Sequence, residues 1–221
     1  MDRRVSIAIA VAVAVPGIAR AEVIIKDPMR DDQGWTAWDA KFAFSEMGMS
    51  AYGVVTRDFK EFPTQFDAVV TIDASKSTIW GFGAAGSYSP ETGYSGIGFT
   101  ANADPEIGVM FAIWDHDKII DMVRIDADVD AMLNKIHRVQ ISVRDDVAFA
   151  AIDGRVVAKI GYNGKIGYNA KIGGSQVVIA SFTDSETYFR DLTITAQVPA
   201  PGAWLIAAAA GAMAGFRRRR A

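Results

Sequence analysis

Across residues 137–143 apolar and polar side chains alternate one for one, with Val139, Ile141 and Val143 set between Arg138, Gln140 and Ser142. A period of two belongs to a pleated strand, whose successive side chains point to opposite faces. A helix would turn Ile141 away from Val139 and Val143. A second strand-like run, residues 147–152, follows Asp145-Asp146, and Asp153-Gly154 then supplies a pair that accepts positive φ at both central positions of a type I′ turn. Hairpins with one apolar face must bury that face against another layer, which commits the chain to packed sheets.

The rest of the chain reads the same way. Residues 66–72, 97–100, 109–114, 119–125 and 188–195 are short, rich in β-branched and aromatic residues, and separated by turn residues. Only residues 129–136 have a helical look, and for one or two turns at most. About ten short strands with almost no helix predict an all-β fold, an antiparallel β-sandwich of the jelly-roll kind. Gly81, Gly83, Gly86, Gly93, Gly96 and Gly98, with Ser87-Tyr88-Ser89-Pro90, lead into no phosphate-binding helix and predict a long flexible loop. The hexapeptide Lys-Ile-Gly-Tyr-Asn-Gly at residues 159–164 recurs at 165–170 with Ala last and breaks off at 171–174. Two and a half copies are too few for a solenoid, so they predict a duplicated hairpin loop.

The two ends have a different chemistry. Asp2-Arg3-Arg4, an apolar run over residues 5–15, and Ala19-Arg20-Ala21 ahead of Glu22 have the order of a Sec-type signal peptide cut after Ala21; a retained anchor helix is the alternative. At the other end Val198-Pro199-Ala200-Pro201 precedes an uncharged apolar run, residues 202–216, and then Arg217, Arg218, Arg219 and Arg220. Fifteen apolar residues make a helix of roughly 22 Å, short of the roughly 30 Å hydrocarbon core. The arginines would remain on the cytoplasmic side and leave the preceding chain outside. The expected organisation is thus a leader over residues 1–21, a β-sandwich domain over 22–197 and a tail over 198–221.

Removing both ends changes the charge. Of 23 basic and 26 acidic residues, the leader takes Arg3, Arg4, Arg20 and Asp2 and the tail takes four arginines, which leaves 16 basic against 25 acidic, about −9 net. Such a surface disfavours nucleic acid and anionic polysaccharide, whose contacts need Lys or Arg. The chain has no cysteine, which excludes thiol catalysis and Cys-ligated zinc, and 176 residues can be stable on their core without disulfides. His116 and His137 are the only imidazoles, so serine-histidine hydrolysis is poorly supplied; His116 reads as a turn residue and His137 as an edge residue of its strand.

Two resemblances follow from these residues. Val198-Pro199-Ala200-Pro201, the apolar run and the arginine cluster together resemble a PEP-CTERM sorting signal, with Ala200 where the family name implies Glu. The resemblance implies recognition of the tail by an exosortase, a membrane-embedded transpeptidase, after Sec export and signal-peptidase cleavage. It further implies a transient inner-membrane stage and delivery to the cell surface or extracellular matrix of a Gram-negative bacterium. A simple tail anchor is the alternative. Residues 137–143, 147–154 and 188–194 are similar to the closing hairpins of concanavalin A-like (laminin G-like) jelly rolls, with Ile136 where that family often has Trp. This similarity implies a fold and no particular chemistry.

Candidate chemistry is sparse. Retaining glucanases of that fold need two carboxylates about 5–5.5 Å apart. The Glu-x-Asp-x-x-Glu pattern that would supply them is absent, with Glu22, Glu46, Glu61, Glu91, Glu106 and Glu186 all isolated. Asp126, Asp128 and Asp130 form a spaced acidic triplet that could contribute oxygens to calcium, although it lacks the Gly and closing Glu of an EF-hand loop, and solvated turn acids are the plainer account. No other cofactor is suggested. Trp35, Trp38, Trp80 and Trp114, with Trp35 and Trp38 the first pair to test, and Tyr162 and Tyr168 of the repeat, could offer rings to a sugar, though tryptophans in such folds mostly pack the core or its rim. The sequence therefore predicts an exported jelly-roll protein that binds glycan or matrix material without catalysis. The competing expectations are a secreted glycan-active hydrolase or lyase using Asp carboxylates and a purely structural matrix component.

Overall fold

The computed structural model describes residues 20–59, 65–74, 77–144, 146–161, 175–182 and 187–198. Residues 22–197 form one compact unit, Glu22–Gln197. The predicted leader up to Ala19 and the tail beyond Val198, with Pro199, Pro201 and Arg217 to Arg220, lie outside the described residues, as do Tyr162 and Tyr168. Among the described residues no helix is long and apolar enough to cross a membrane.

The described chain is almost entirely antiparallel strand: β1 (Arg20–Asp27), β2 (Trp35–Ser45), β3 (Gly48–Asp58), β4 (Phe66–Asp73), β5 (Ile79–Ser89), β6 (Gly93–Asn102), β7 (Val109–Asp115), β8 (Lys118–Arg124), β9 (Ile136–Arg144), β10 (Val147–Ile152), β11 (Arg155–Gly161), β12 (Gln176–Ser181) and β13 (Tyr188–Val198). One helical turn, α1 (Val129–Leu133), joins β8 to β9. The strands follow a continuous path, β11-β10-β9-β4-β13-β3-β12-β5-β6-β7-β8, with β1 beside β13 and β2 beside β3. The path narrows where β13 meets β3 through Tyr188 and Phe189 alone, opposite Ser50 and Met49. There the sheet folds over, so that β4 and β9–β11 form one layer and β3, β12 and β5–β8 the other, and β6 meets β9 across the core.

The alternation read from residues 137–143 is the pattern that faces this core. His137, Val139, Ile141 and Val143 of β9 are buried while the residues between them are not. Asp153 and Gly154, at φ 51° and 81°, make the two-residue turn that sets β10 against β11. The core is filled by Phe66, Phe82, Phe99, Phe111, Phe189 and Trp80, each at most 1% exposed. Trp80 stacks on Phe99 at 5.4 Å, and its indole N–H donates to the Met132 carbonyl at 3.1 Å, which ties α1 over the end of the sandwich.

Two expectations are corrected. The glycines of residues 81–98 build β5 and β6 in place of a flexible loop. The physical reason is packing: Tyr94 lies flat across these two strands, and an added Cβ at Gly83, Gly86 or Gly96 would collide with its ring or hydroxyl. His137 is an interior residue, since β9 runs between β4 and β10. Its two ring nitrogens meet the Asp153 carboxylate at 2.9 Å and the Ala131 carbonyl at 3.0 Å.

Candidate functional site: an aromatic-walled groove

Strand alternation also decides what the outer face of the second layer presents. Where Ile97, Phe99 and Ala101 of β6 point inward, Gly98 and Thr100 point out, and Gly81 and Gly83 of β5 lie beside them. Val178 and Ala180 of β12 and Val54 of β3 continue this strip. The result is a floor of small side chains, open at Gly81 and covered at Gly83 by the Tyr94 ring. Aromatic rings gather on this face. Trp38 of β2 and Tyr88 of β5 meet edge to face at 6.2 Å. Tyr94 of β6 lies opposite Tyr88 in the strand register, and Trp114 of β7 completes the set. Phe182 adds an exposed ring. Together they enclose a groove of about 410 Å³, of the size that small-ligand sites have.

Each wall is held by hydrogen bonds. The Trp38 indole N–H donates to the Thr56 hydroxyl at 2.9 Å, which leaves the ring face free of that task. The Tyr88 amide donates to the Gln176 side-chain oxygen at 2.7 Å. The Tyr94 hydroxyl donates to the Ile97 carbonyl at 2.7 Å; burial pushes this phenol far above its ordinary pKa, so it stays a protonated donor. Gly98 lies between Tyr94 and Trp114, for an added Cβ there would sit 3.4 Å from both the Trp114 indole nitrogen and the Tyr94 ring. Asp117, in the turn between β7 and β8, completes the lining and accepts the Tyr94 amide at 2.7 Å.

The residues suggested by the sequence fall in different places. Trp38 lines the groove, whereas Trp35, three residues away on the same strand, faces the opposite side. Trp35 is 5% exposed and donates its indole N–H to Asp27, which also accepts the Met29 amide and pairs with Arg57. Of the acidic triplet, Asp128 caps α1 by accepting the amides of Asp130 and Ala131, and Asp126 and Asp130 are exposed. No group of three or more His, Cys, Asp or Glu residues could hold a metal ion among the described residues. This arrangement fits a helix cap better than a calcium cage. Trp114, a candidate ring from the sequence, lines the groove too, whereas Trp80 is fully buried; Tyr88 and Tyr94 were not expected there. The glycines at every other position of β5 and β6, between aromatic residues, were the available signal.

Among the described lining residues Asp117 is the only carboxylate and the only charged side chain. A lone carboxylate provides neither the pair needed for glycoside cleavage nor a nucleophile with its base. What the groove can do is stack flat, partly apolar faces on indole and phenol rings and offer a few polar groups at its rim.

No family model matches the chain, and no curated protein does. Solved structures do. The domain is similar to a protein of unknown function with galectin-like fold from Bacillus subtilis at TM-score 0.63, with 8% identity over 81% of this chain and 100% of that one. It is similar to an apo Crh5 transglycosylase at 0.55, with 14% identity over 83% and 88% of the two chains. It is also similar to the carbohydrate binding module CBM66 from Bacillus subtilis at 0.50, with 16% identity over 73% and 94%. At such identities the likeness speaks to architecture, and the domain is a nearly all-β antiparallel sandwich whose neighbours include a galectin-like fold.

Proposed function

We propose that the chain is an exported glycan-binding protein that acts without catalysis, and that the aromatic-walled groove on the outer face of its second layer is the binding site. The observation that carries this reading is the gathering of Trp38, Tyr88, Tyr94 and Trp114 around the small residues Gly81, Gly98 and Ala180 on one face of the sheet. The pyranose ring has apolar C–H faces and a polar rim, which is the shape such a trough accommodates. That one solved relative in fold is named a carbohydrate binding module supports it.

The transglycosylase likeness favours a second reading, glycan turnover on the same face. The single carboxylate among the described lining residues weighs against it. Affinity electrophoresis on a polysaccharide panel, with reducing-end assays on the same samples, separates the two. Binding without product release is expected. Trp38→Ala and Trp114→Ala should each weaken retention roughly tenfold, the scale of one lost ring contact of about 1.4 kcal/mol. Product formation abolished by Asp117→Asn would transfer the site to the enzyme reading.

The leader and tail support the export half. Cleavage after Ala21 and processing near Val198, Pro199 and Pro201, with Arg217 to Arg220 retained on the cytoplasmic side, would take the protein through the Sec translocon, signal peptidase, inner membrane and exosortase to the surface or matrix. A tagged copy should change size and location when the exosortase gene is deleted; identical processing in both strains would remove the sorting claim.

A further inference from the structure

We propose that Asp117 sets the charge specificity of the groove: its carboxylate accepts hydrogen bonds from the hydroxyls of an uncharged sugar at the Trp114 end and turns away sugars that carry carboxylate or sulfate. This rests on the glycan-binding reading and adds to it the ligand class and the residue that selects it.

The first observation is conformational. β7 and β8 are joined by a two-residue turn in which His116 and Asp117 both adopt left-handed backbone, at φ 51° and 59°. Such a turn is most easily made by Asn-Gly or Asp-Gly, and side chains at positive φ carry strain. The turn fixes where the Asp117 side chain is presented, as Asp153 is fixed in the β10/β11 turn. The second observation is that the surroundings are fitted to this carboxylate. Its Oδ1 accepts the Tyr94 amide at 2.7 Å, and its own amide donates back to the Tyr94 carbonyl at 2.9 Å. Gly93, at φ 71°, leaves the space the carboxylate fills, since a Cβ there would collide with it. The third observation is electrostatic. Asp117 is exposed and lines the groove, and no Lys, Arg or His is among the described lining residues. The exposed His116 and Lys118 flank Asp117 in the chain. An anionic sugar would meet this charge with no cation among the described lining residues to offset it, whereas a neutral sugar brings hydroxyl donors to a charged acceptor, the stronger class of hydrogen bond.

The test uses the whole protein in affinity gels containing neutral β-glucan, xylan, galactomannan or anionic polygalacturonate, with thermal melting recorded alongside. The wild type should be retarded by at least one neutral polysaccharide and not by polygalacturonate. Asp117→Asn keeps an Oδ1 for the Tyr94 amide and suits left-handed backbone at least as well, so its melting temperature should be equal or higher. Its affinity for the neutral polysaccharide should fall roughly tenfold. Undiminished affinity in Asp117→Asn, or a lowered melting temperature accompanying the loss, overturns the proposal. Retardation of the wild type by polygalacturonate as strong as by the neutral chains overturns it too and leaves glycan binding standing. Retardation by nothing in the panel removes both.

Discussion

At the scale of single residues, Asp67 shows how a half-buried charge is held. Burial alone would raise its pKa, but hydrogen bonds from Ser142 at 2.6 Å and Gln140 at 3.1 Å and the Arg144 guanidinium at 2.6 Å hold the carboxyl below its ordinary value. A depressed folded-state pKa adds stability above the unfolded value of about 3.9, and this is lost as pH falls through the folded value. Asp67→Asn should therefore cost about 1–2 kcal/mol at pH 7, toward the lower end because Arg144 is partly open to solvent, and the gap to wild type should close below about pH 4. Urea unfolding at pH 7 and pH 3 checks this; a pH-independent difference would mean that packing accounts for the effect. Gly81 and Gly83 offer a second residue-scale contrast. A Cβ at Gly81 would make ordinary contacts at 3.7 Å with Ala180 and Thr100, while one at Gly83 would strike the Tyr94 hydroxyl. Gly81→Leu should fold normally, fill the groove floor and abolish ligand retention. Gly83→Ala should displace Tyr94 and lower stability by about 1–3 kcal/mol.

At the scale of elements, β9, β10 and the turn at Asp153-Gly154 behaved as their sequence implied, because a period of two and a turn pair are local properties. β5 and β6 did not. Their glycines read as loop residues in isolation, and they hold strand conformation only because Tyr94 of β6 occupies the space their missing side chains leave. Likewise the separation of Trp35 from Trp38 onto opposite faces follows from alternation, but which face was core and which was groove depended on β3 and the layer behind it. The triplet around Asp128 resolves at this scale as a helix start. Asp128→Ala should lose two accepted amide hydrogen bonds and about 1 kcal/mol, measured by denaturant midpoint, with no change caused by calcium; a melting shift of several degrees with millimolar calcium would restore a metal role to Asp126, Asp128 and Asp130.

At the scale of the whole molecule, the acidic balance of residues 22–197 and a groove whose described lining carries one carboxylate and no cation point in one direction. A ligand held by ring stacking and neutral hydroxyls releases few counterions, so retention should change less than about twofold between 50 mM and 500 mM salt. A steep salt dependence would indicate that surface charge carries the binding. The sequence by itself determined the class of fold, through alternation and turn chemistry, and the contrast between the two export-like ends and the acidic chain between them. These are readable because each depends on neighbours within a few positions. The groove was decided by tertiary structure alone. Trp38, Tyr94, Trp114 and Asp117 come from β2, β6, β7 and the β7/β8 turn, and they share one face because β12 inserts between β3 and β5, a long-range pairing that no local pattern encodes.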